Sequence, residues 1–425
     1  MTAESTMPPV GAQPGAGPLA GVRVIELGQY IAGPFASKLL ADLGAEVIKI
    51  EAPDGDPMRR WEGTGGYSPQ FAAYNRNKRG VTLDLKSEEG LTALLALIAD
   101  ADVLLDNFRP GVADRLGFGP AAASAINPGI ITCSITGFGP VGPLAARPSY
   151  DTVISAVGGM YSQIVPADTV RPLGPAFSDL LSGMSATQGI LAALHARNND
   201  GVGQHVEVSM VGSLIDFLTE SASTFLQTGG TTGPDSRPRR AQAYALVGRD
   251  GHAFVVHMSV PEKFWRGLLT VLGREDLADD PRFSSREGRV ANYDELDTVL
   301  KAEAARMPRA HWLAKLAEHD IPHGALNTIG DLFDDPQIQA MGLVEELATA
   351  DGGTVRIPVH STGFSRSGRP AYRAAPLLGA DNHLVLDAAA SATDSGSADV
   401  ESADVKSADV NAADIDAAER QENVS

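Results

Sequence analysis

Residues 22–50 contain a succession of apolar segments that predicts two strands with a helix between them. The sequences VRVIEL at 22–27 and EVIKI at 46–50 are short apolar runs of the kind found in buried strands. A Gly-Pro pair opens the predicted helix at 33–43, and Gly44 ends it. Strands joined through a helix pair in parallel, so this segment predicts one βαβ unit.

The same order of strands and helices continues to about residue 212. Further strands are predicted at 81–86, 101–108, 129–139 and 205–210, with helices at 88–99 and 182–197. This order predicts an α/β fold in which a Rossmann-like parallel sheet carries helices on both faces.

The rest of the chain predicts a second, smaller α+β domain followed by a return to the first. After a helix from Ser213, a stretch rich in Gly, Pro and Arg marks the boundary. A strand at 250–259 and several amphipathic helices follow, and strands within 354–368 lead back. The predicted division is a disordered arm at 1–19, the first part of the large domain at 20–212, a linker at 213–235, the small domain at 236–335, the return at 336–387 and a disordered acidic tail at 388–425.

Composition narrows the choice of partners and compartment. The formal net charge of −19, from 53 acidic and 34 basic residues, argues against nucleic acid and anionic membranes. A single cysteine, Cys133, allows no internal disulfide and fits a reducing cytoplasm. The sequence has neither the pattern of a signal peptide nor an apolar run of about 20 residues. We therefore expect a cytoplasmic protein with no membrane partner.

Common catalytic and cofactor motifs are missing from the sequence. The turn after the first strand, at 28–33, lacks the glycine spacing of a dinucleotide site and the lysine of a P-loop. The nine histidines show no metal-ligand spacing, and no G-x-S-x-G elbow occurs. Nicotinamide or flavin binding, a metal site and serine catalysis are therefore not supported.

Two loops rich in basic residues are the first positive signal. Residues 75–80 (NRNKRG) and 106–111 (DNFRPG), with Arg115 nearby, are expected at the ends of strands. Ligands of open α/β sheets bind at the carboxyl ends of strands, so these side chains could converge on phosphate groups. Solvated surface charge is the alternative, and the loops alone do not decide between the two.

Asp179 precedes a run of small residues and the long apolar helix. An aspartate at a helix start most often caps the helix by accepting backbone N–H groups. A nucleophilic carboxylate would occupy the same place, and the local sequence leaves both interpretations open.

At a larger scale, about residues 18–385 resemble the class III CoA-transferases, the group that includes formyl-CoA transferase, carnitine CoA-transferase and α-methylacyl-CoA racemase. The resemblance rests on several long motifs spread over the chain. They are GVRVIELGQYIAGPFASKLLADLGAEVIKIE, YNRNKRGVTLDLK, DNFRPGVADRLGF, SITGFGPVGPLAARPSYD, SDLLSGMSATQGILAALHAR, GVGQHVEVSM, IPHGALN, DPQIQAMG and APLLG.

The resemblance implies a site, a fold and an assembly. Its catalytic aspartate falls on Asp179, and an arginine that some members use is replaced here by Ala52. The family fold implies an interlocked homodimer whose chains thread through each other. No tightly bound cofactor is implied, since the coenzyme A thioester is itself a substrate. The implied CoA contacts are Ile31, Ala32, Asn75, Arg76, Asn77, Lys78, Asn107, Phe108, Arg109, Arg115, Thr136, Gly137 and Phe138.

The implied reaction moves CoA from an acyl-CoA to a carboxylic acid through an aspartyl-CoA thioester. A carboxylate suits this chemistry because it is ionised at neutral pH without a separate base, and N–H groups at the helix start could stabilise the oxyanions. A racemase is the alternative, but Tyr150 stands where racemases have a histidine, and an unperturbed tyrosine is a poor base at neutral pH. A non-catalytic CoA-binding protein is a further alternative.

The sequence says least about the acid. No glycine-rich loop like that of some members occurs in the small domain, which argues against formate and oxalate, and a dicarboxylate such as succinate is our expectation. Arg147, His257 and Lys263 are candidates for the acceptor carboxylate, although a structural role is the more common one for each of them.

Overall fold

The computed structural model describes residues 15–61, 68–166, 168–169, 171–259, 261–349 and 352–384. Most of the predicted arm at 1–19 and all of the predicted acidic tail at 388–425 lie outside these residues. No helix in the described part of the chain is long and apolar enough to cross a membrane.

Six parallel strands form the main sheet. They are β1 (Arg23–Glu26), β2 (Glu46–Glu51), β3 (Lys78–Thr82), β4 (Val103–Asp106), β5 (Ile131–Thr136) and β6 (His205–Ser209). Their order across the sheet is β3-β2-β1-β4-β5-β6, the order of a doubly wound Rossmann-type sheet. The predicted α/β class with a Rossmann-like parallel sheet is therefore confirmed.

Helices cover both faces of this sheet. Neighbouring strand residues point to opposite faces, so Val24 packs in one apolar cluster and Ile25 in another, and both are fully buried. The helices of this part are α1 (Ala32–Asp42), α2 (Pro69–Asn75), α3 (Glu88–Ala99), α4 (Val112–Arg115), α5 (Pro120–Ile126), α6 (Asp151–Val157), α7 (Met160–Ile164), α8 (Phe177–Asp200), α9 (Met210–Phe217) and α10 (Thr219–Thr228). A short 3-10 helix, Pro57–Arg60, follows β2.

The strand predicted at 81–86 is displaced in the structure. β3 starts at Lys78, which pairs with Val47 of β2, and it ends at Thr82. A charged residue can start this buried strand because the Lys78 ammonium meets the buried Glu26 carboxylate at 3.2 Å. Residues 75–80 therefore lie at the amino end of a strand, and the prediction that placed this loop among the ligand-binding strand ends is wrong.

A three-stranded antiparallel sheet and its helices follow the main sheet along the chain. Trp265, Leu268 and Phe254 are buried in the apolar cluster that joins this sheet to its helices. The elements are α11 (Ser236–Ala241), β7 (Ala243–Val247), β8 (Ala253–His257), α12 (Glu262–Leu272), the 3-10 helix Glu275–Ala278, α13 (Arg286–Ala291), α14 (Tyr293–Ala304), α15 (Arg309–Glu318) and β9 (His323–Ala325).

The last described residues return to the main sheet. The amide of Asn77 donates to the carbonyl of Arg373 at 3.1 Å, and the amides of Gly80 and Thr82 donate to the side chains of Asp381 and Asn382 at 2.9 and 2.8 Å. These side chains cover the open edge of β3, an edge that would otherwise be free to pair with another chain. Before them come α16 (Ile329–Asp334), α17 (Pro336–Ala340) and the antiparallel pair β10 (Val344–Ala348) and β11 (Thr354–Pro358).

Candidate active site

A cavity of about 250 Å³ opens at the carboxyl ends of β1, β4 and β5. The strand order reverses between β1 and β4, which is where open α/β sheets bind ligands. Its walls come from the turn after β1, the loop after β4, the end of β5, residues 145–150 and the start of α8. The lining residues are Gln29, Tyr30, Ile31, Ala32, Asn107, Phe108, Arg109, Pro110, Ile135, Thr136, Gly137, Ala145, Arg147, Pro148, Ser149, Tyr150, Asp179 and Met210.

Asp179 lies in this pocket as the third residue of α8 and is not its N-cap. The helix begins at Phe177, and Ala176 occupies the N-cap position without a side-chain bond. Asp151, the first residue of α6, caps the helix instead. Its Oδ1 accepts bonds from the Ser178 amide at 2.7 Å, the Ser178 hydroxyl at 2.8 Å and the Asp179 amide at 3.4 Å.

Two carboxylates thus lie at the start of one helix, and only Asp179 lines the pocket. Burial and, after it, the negative charge of Asp151 raise the pKa of Asp179 to about 7. We had expected a carboxylate that is fully ionised at neutral pH, but the raised pKa brings the titration of Asp179 into the neutral range. The same burial removes the water molecules that would otherwise solvate the ionised Asp179 carboxylate.

The amides predicted to stabilise the oxyanions are already bonded. Phe177 donates its amide hydrogen to the Pro175 carbonyl at 2.7 Å, and the next two amides donate to Asp151. A different donor is available at the end of β5. The Thr136 hydroxyl is buried in the pocket wall and has no hydrogen-bond partner in the described part of the chain.

The turn between β1 and α1 forms one wall of the pocket. Tyr30 has the left-handed backbone conformation, with φ of 62°, and its ring meets those of Trp61 and Tyr150 at 6.2 Å between centroids. Asn107 fixes the turn from the neighbouring loop, because its side chain accepts a bond from the Gln29 amide and donates one to the Gln29 carbonyl, both at 2.9 Å. The wall is therefore held by paired bonds between two strand ends.

A glycine lets α8 bring Asp179 to this wall. A Cβ atom on Gly183, one turn after Asp179, would lie 2.9 Å from the Ala32 carbonyl oxygen and 2.9 Å from the Phe35 ring. Contacts under 3.0 Å are not tolerated by real Cβ atoms, so only glycine allows α8 to pack this closely on α1.

The structure gathers eight of the predicted site residues in the pocket and leaves six outside. Those that line it are Ile31, Ala32, Asn107, Phe108, Arg109, Thr136, Gly137 and Asp179. Those that do not are Asn75, Arg76, Asn77, Lys78, Arg115 and Phe138.

The basic residues of the first predicted loop are buried and already paired. Arg76 forms a bidentate ion pair with Asp42, at 3.0 and 2.7 Å, and Asn77 donates to the same carboxylate at 2.8 Å. Lys78 is fully buried with Glu26. The sequence alone could not distinguish such paired residues from a free phosphate-binding cluster.

Of the three candidates for the acceptor carboxylate, only Arg147 lines the pocket. His257 is in β8, and Lys263 forms an exposed ion pair with Asp320 at 3.0 Å. Arg109 and Arg147 are both exposed and form no ion pair within the described residues.

Several pocket residues were not predicted. Gln29 and Tyr30 adjoin the predicted Ile31, so their position after the first strand was an available signal. No comparable signal marked Pro148 and Ser149, because only the three-dimensional course of their loop brings them to the pocket.

A carboxylate and two arginines share a pocket at the switch point of a parallel sheet, and together they define an enzyme site for anionic substrates. Residues 19–382 match the family model described as CoA-transferase family III, and the chain belongs to that family, as the motifs predicted.

Individual relatives agree with the family. The chain is 35% identical over 362 residues to acetyl-CoA:oxalate CoA-transferase of Acetobacter aceti, covering 83% of this chain and 92% of that protein. It is 33% identical over 380 residues to succinyl-CoA:glutarate CoA-transferase of Mus musculus, covering 87% and 86%. The crystal structure of a CAIB/BAIF family protein from Brucella suis superposes with a TM-score of 0.79 at 34% identity, covering 88% of this chain and 99% of that one. The protein is a CoA-transferase that moves CoA between an acyl-CoA donor and a carboxylic acid.

Proposed function

We propose that Asp179 is the nucleophile of this transfer. The observation that carries the proposal is that Asp179 is the only carboxylate among the described residues that line the pocket. An ionised carboxylate needs no base to attack a thioester. The Thr136 hydroxyl on the same pocket wall supports the proposal, because it could donate a hydrogen bond to an oxyanion.

The reaction balances without a net proton transfer. The Asp179 carboxylate attacks the thioester carbonyl, and the C–S bond breaks to give an aspartyl anhydride and CoA thiolate. The thiolate then attacks the Asp179 carbonyl, which releases the donor acid and leaves an aspartyl-CoA thioester. The acceptor acid attacks this thioester, and the expelled thiolate takes the acceptor acyl group from the new anhydride, which restores the Asp179 carboxylate.

Replacement of Asp179 tests this assignment. We expect Asp179→Ala and Asp179→Asn to lower kcat by about 10⁴-fold or more, because removal of a covalent nucleophile has effects of this size. CoA binding should persist in both variants, since the pocket walls are unchanged. Turnover close to that of the unmodified enzyme in Asp179→Ala would make the assignment wrong.

The acid that accepts CoA is, in our proposal, a dicarboxylate whose second carboxylate binds Arg147. Arg109 and Arg147 reach the pocket from different loops, so one can serve the phosphates of CoA while the other serves the acid. The two relatives described above are named for oxalate and glutarate, which are both dicarboxylates.

The variant Arg147→Met tests whether Arg147 binds the second carboxylate of the acceptor acid. Loss of a charged hydrogen bond should raise KM for succinate and glutarate about 10- to 100-fold and leave KM for propionate nearly unchanged. Arg266→Met is the matched control, since Arg266 is exposed on α12 and does not line the pocket. Equal effects on dicarboxylates and propionate would contradict the assignment. Measuring oxalate alongside these acids tests our expectation from the sequence that oxalate is not a substrate.

We also propose that Tyr150 disfavours racemase activity. It lines the pocket at the position where a racemase would need a histidine base. Exchange of the α-hydrogen of an acyl-CoA with deuterated water, without CoA transfer, would contradict this proposal.

A homodimer is proposed as the working assembly. Five large apolar side chains are exposed on the neighbouring helices α8, α9 and α10, and exposed apolar surface of this kind favours burial against a second chain. They are Met184, Ile215, Phe217, Phe225 and Leu226. Light scattering should give the mass of a dimer, and interlocked chains should remain dimeric on dilution until they unfold. A monomeric mass would contradict the proposal.

We also propose that the protein is cytoplasmic and that it works without a tightly bound cofactor. The single thiol, Cys133, is buried in β5, where burial raises its pKa, so it is protected from oxidation and has no partner for a disulfide. Activity of the dialysed protein with acyl-CoA and acid alone would support independence of a cofactor.

A further inference from the structure

Two buried lysines lie directly behind the turn that lines the pocket. Lys49 is in β2 and Lys78 in β3, and both side chains are completely buried. Side chains at alternate strand positions share a face, so these lysines and Glu26 lie on the face that α1 covers. An ammonium group is costly to bury, so its partners indicate what it does there.

Each lysine has three acceptors, and the two share one carboxylate. The Lys49 amine donates to the Gly28 carbonyl at 2.7 Å and lies 3.5 Å from Glu26 Oε1 and 3.1 Å from Asp56 Oδ2. The Lys78 amine donates to the Pro34 carbonyl at 2.9 Å, to Asn75 Oδ1 at 2.8 Å and to Glu26 Oε2 at 3.2 Å. Lys78 therefore uses all three of its N–H groups, whereas Lys49 combines two hydrogen bonds with an ion pair to Asp56.

Gly28 lies at the start of the turn, Pro34 is the third residue of α1 just after it, and residues 29–32 between them line the pocket. The Gly28 carbonyl accepts a bond from Lys49 and the Pro34 carbonyl accepts one from Lys78. The Glu26 carboxylate contacts both lysines. Asp56 adds a third contact, because it faces Lys49 and accepts a bond from the Tyr30 amide at 3.5 Å. The turn is thus fixed from the side opposite the substrate.

We propose that Lys49, Lys78 and Glu26 are positioning residues that hold this turn in the form that binds acyl-CoA. The inference rests on the CoA-transferase activity and does not depend on which carboxylate is the nucleophile. The turn needs such a support because Tyr30, with φ of 62°, has a backbone conformation that is unfavourable for a residue with a side chain.

Stability alone does not account for the lysines. Buried ion pairs stabilise proteins little more than apolar residues of the same volume, and often less. On the same face of the sheet, the residues two positions before Glu26 and Lys49 are the apolar Val24 and Val47. Charged residues at this one place are therefore better explained by the carbonyl groups that they hold.

The test compares CoA binding in Lys49→Met and Lys78→Met, measured by titration calorimetry well below the melting temperature of each variant. We expect the Kd for CoA and the KM for acyl-CoA to rise about tenfold or more, the usual effect of losing well-placed contacts, while the KM for the acceptor acid changes little. The Asp179→Ala background gives the same binding test without turnover, so failure of the nucleophile assignment would not affect it.

Arg289→Met is the matched control. Arg289 is an equally buried cation that bonds Gln242, Phe283 and Glu262, none of which lines the pocket. This variant should lose stability and bind CoA normally. If the lysine variants do not fold, Glu26→Gln removes the shared charge at constant volume and should weaken CoA binding in the same way. Normal CoA affinity in folded lysine or Glu26 variants, or an equal loss in Arg289→Met, would overturn the proposal.

Discussion

At the residue scale, burial and the neighbouring Asp151 charge together favour the protonated form of Asp179. The Asp151 carboxylate caps α8 and adds negative charge beside a buried carboxyl, and both burial and this charge raise the pKa of Asp179 to about 7. Only the ionised form can attack a thioester. The protonated fraction of Asp179 must therefore lose its proton before it can react.

This gives a prediction for the pH profile. In the unmodified enzyme kcat/KM should rise as pH increases through about 7, the pKa of Asp179. Asp151→Asn keeps an oxygen that can accept the Ser178 amide and removes the charge, so the rise should move to lower pH. Asp320→Asn, at an exposed carboxylate far along the chain, is the control that should leave the profile unchanged. An unchanged profile in Asp151→Asn would contradict this role.

The same shift predicts a stability effect. A carboxyl whose pKa is raised by folding binds its proton more tightly in the folded state, so stability is lost as pH rises from about 4 to about 7. Asp179→Asn should therefore raise the free energy of unfolding at pH 8 by about 1–3 kcal/mol and have little effect at pH 4. Urea denaturation at the two pH values measures this. A gain of equal size at both values would show that charge is not the cause.

At the element scale, the site depends on how closely α8 approaches α1. Gly→Ala inside a helix usually stabilises by about 0.5–1 kcal/mol. Gly183→Ala should instead destabilise by about 1–3 kcal/mol, because its Cβ meets the Ala32 carbonyl, and should lower kcat as Asp179 moves. Thermal denaturation and steady-state kinetics measure both effects.

A second helix glycine provides the comparison. At Gly267 in α12 an added Cβ would lie 3.3 Å from its nearest neighbour, the Cδ1 atom at the end of the Ile321 side chain, and so would have no contact under 3.0 Å. Gly267→Ala should leave kcat unchanged and cost little or no stability. If both variants behave alike, the close approach of α8 does not position Asp179.

The strands also show where sequence reasoning succeeds. Apolar runs identified β1, β2, β4 and β5, and the pocket residues predicted at the ends of β1, β4 and β5 are in the pocket. The pattern failed at β3, because an apolar criterion cannot recognise a lysine that enters a strand with a buried carboxylate partner. The loop at 75–80 was therefore assigned to the wrong end of its strand.

At the scale of the whole molecule, the order of elements was enough to predict the parallel sheet with helices on both faces. Contacts between distant segments were not predictable, since periodicity describes only near neighbours. The edge of β3 is covered by Asp381 and Asn382, about 300 positions further along the chain. The cap on α8 likewise comes from Asp151, in another helix. The division into domains at 236 and 336 stays a prediction, which limited proteolysis can examine.

The most direct test of the central claim is to trap the covalent intermediate. The purified protein is incubated with succinyl-CoA and no acceptor, quenched with hydroxylamine, and its peptides are analysed by mass spectrometry. We predict a donor-dependent hydroxamate on Asp179 that is absent in Asp179→Asn and absent from Asp151. Active protein with no modification at Asp179, or with a modification at another residue, would contradict the aspartyl-CoA mechanism.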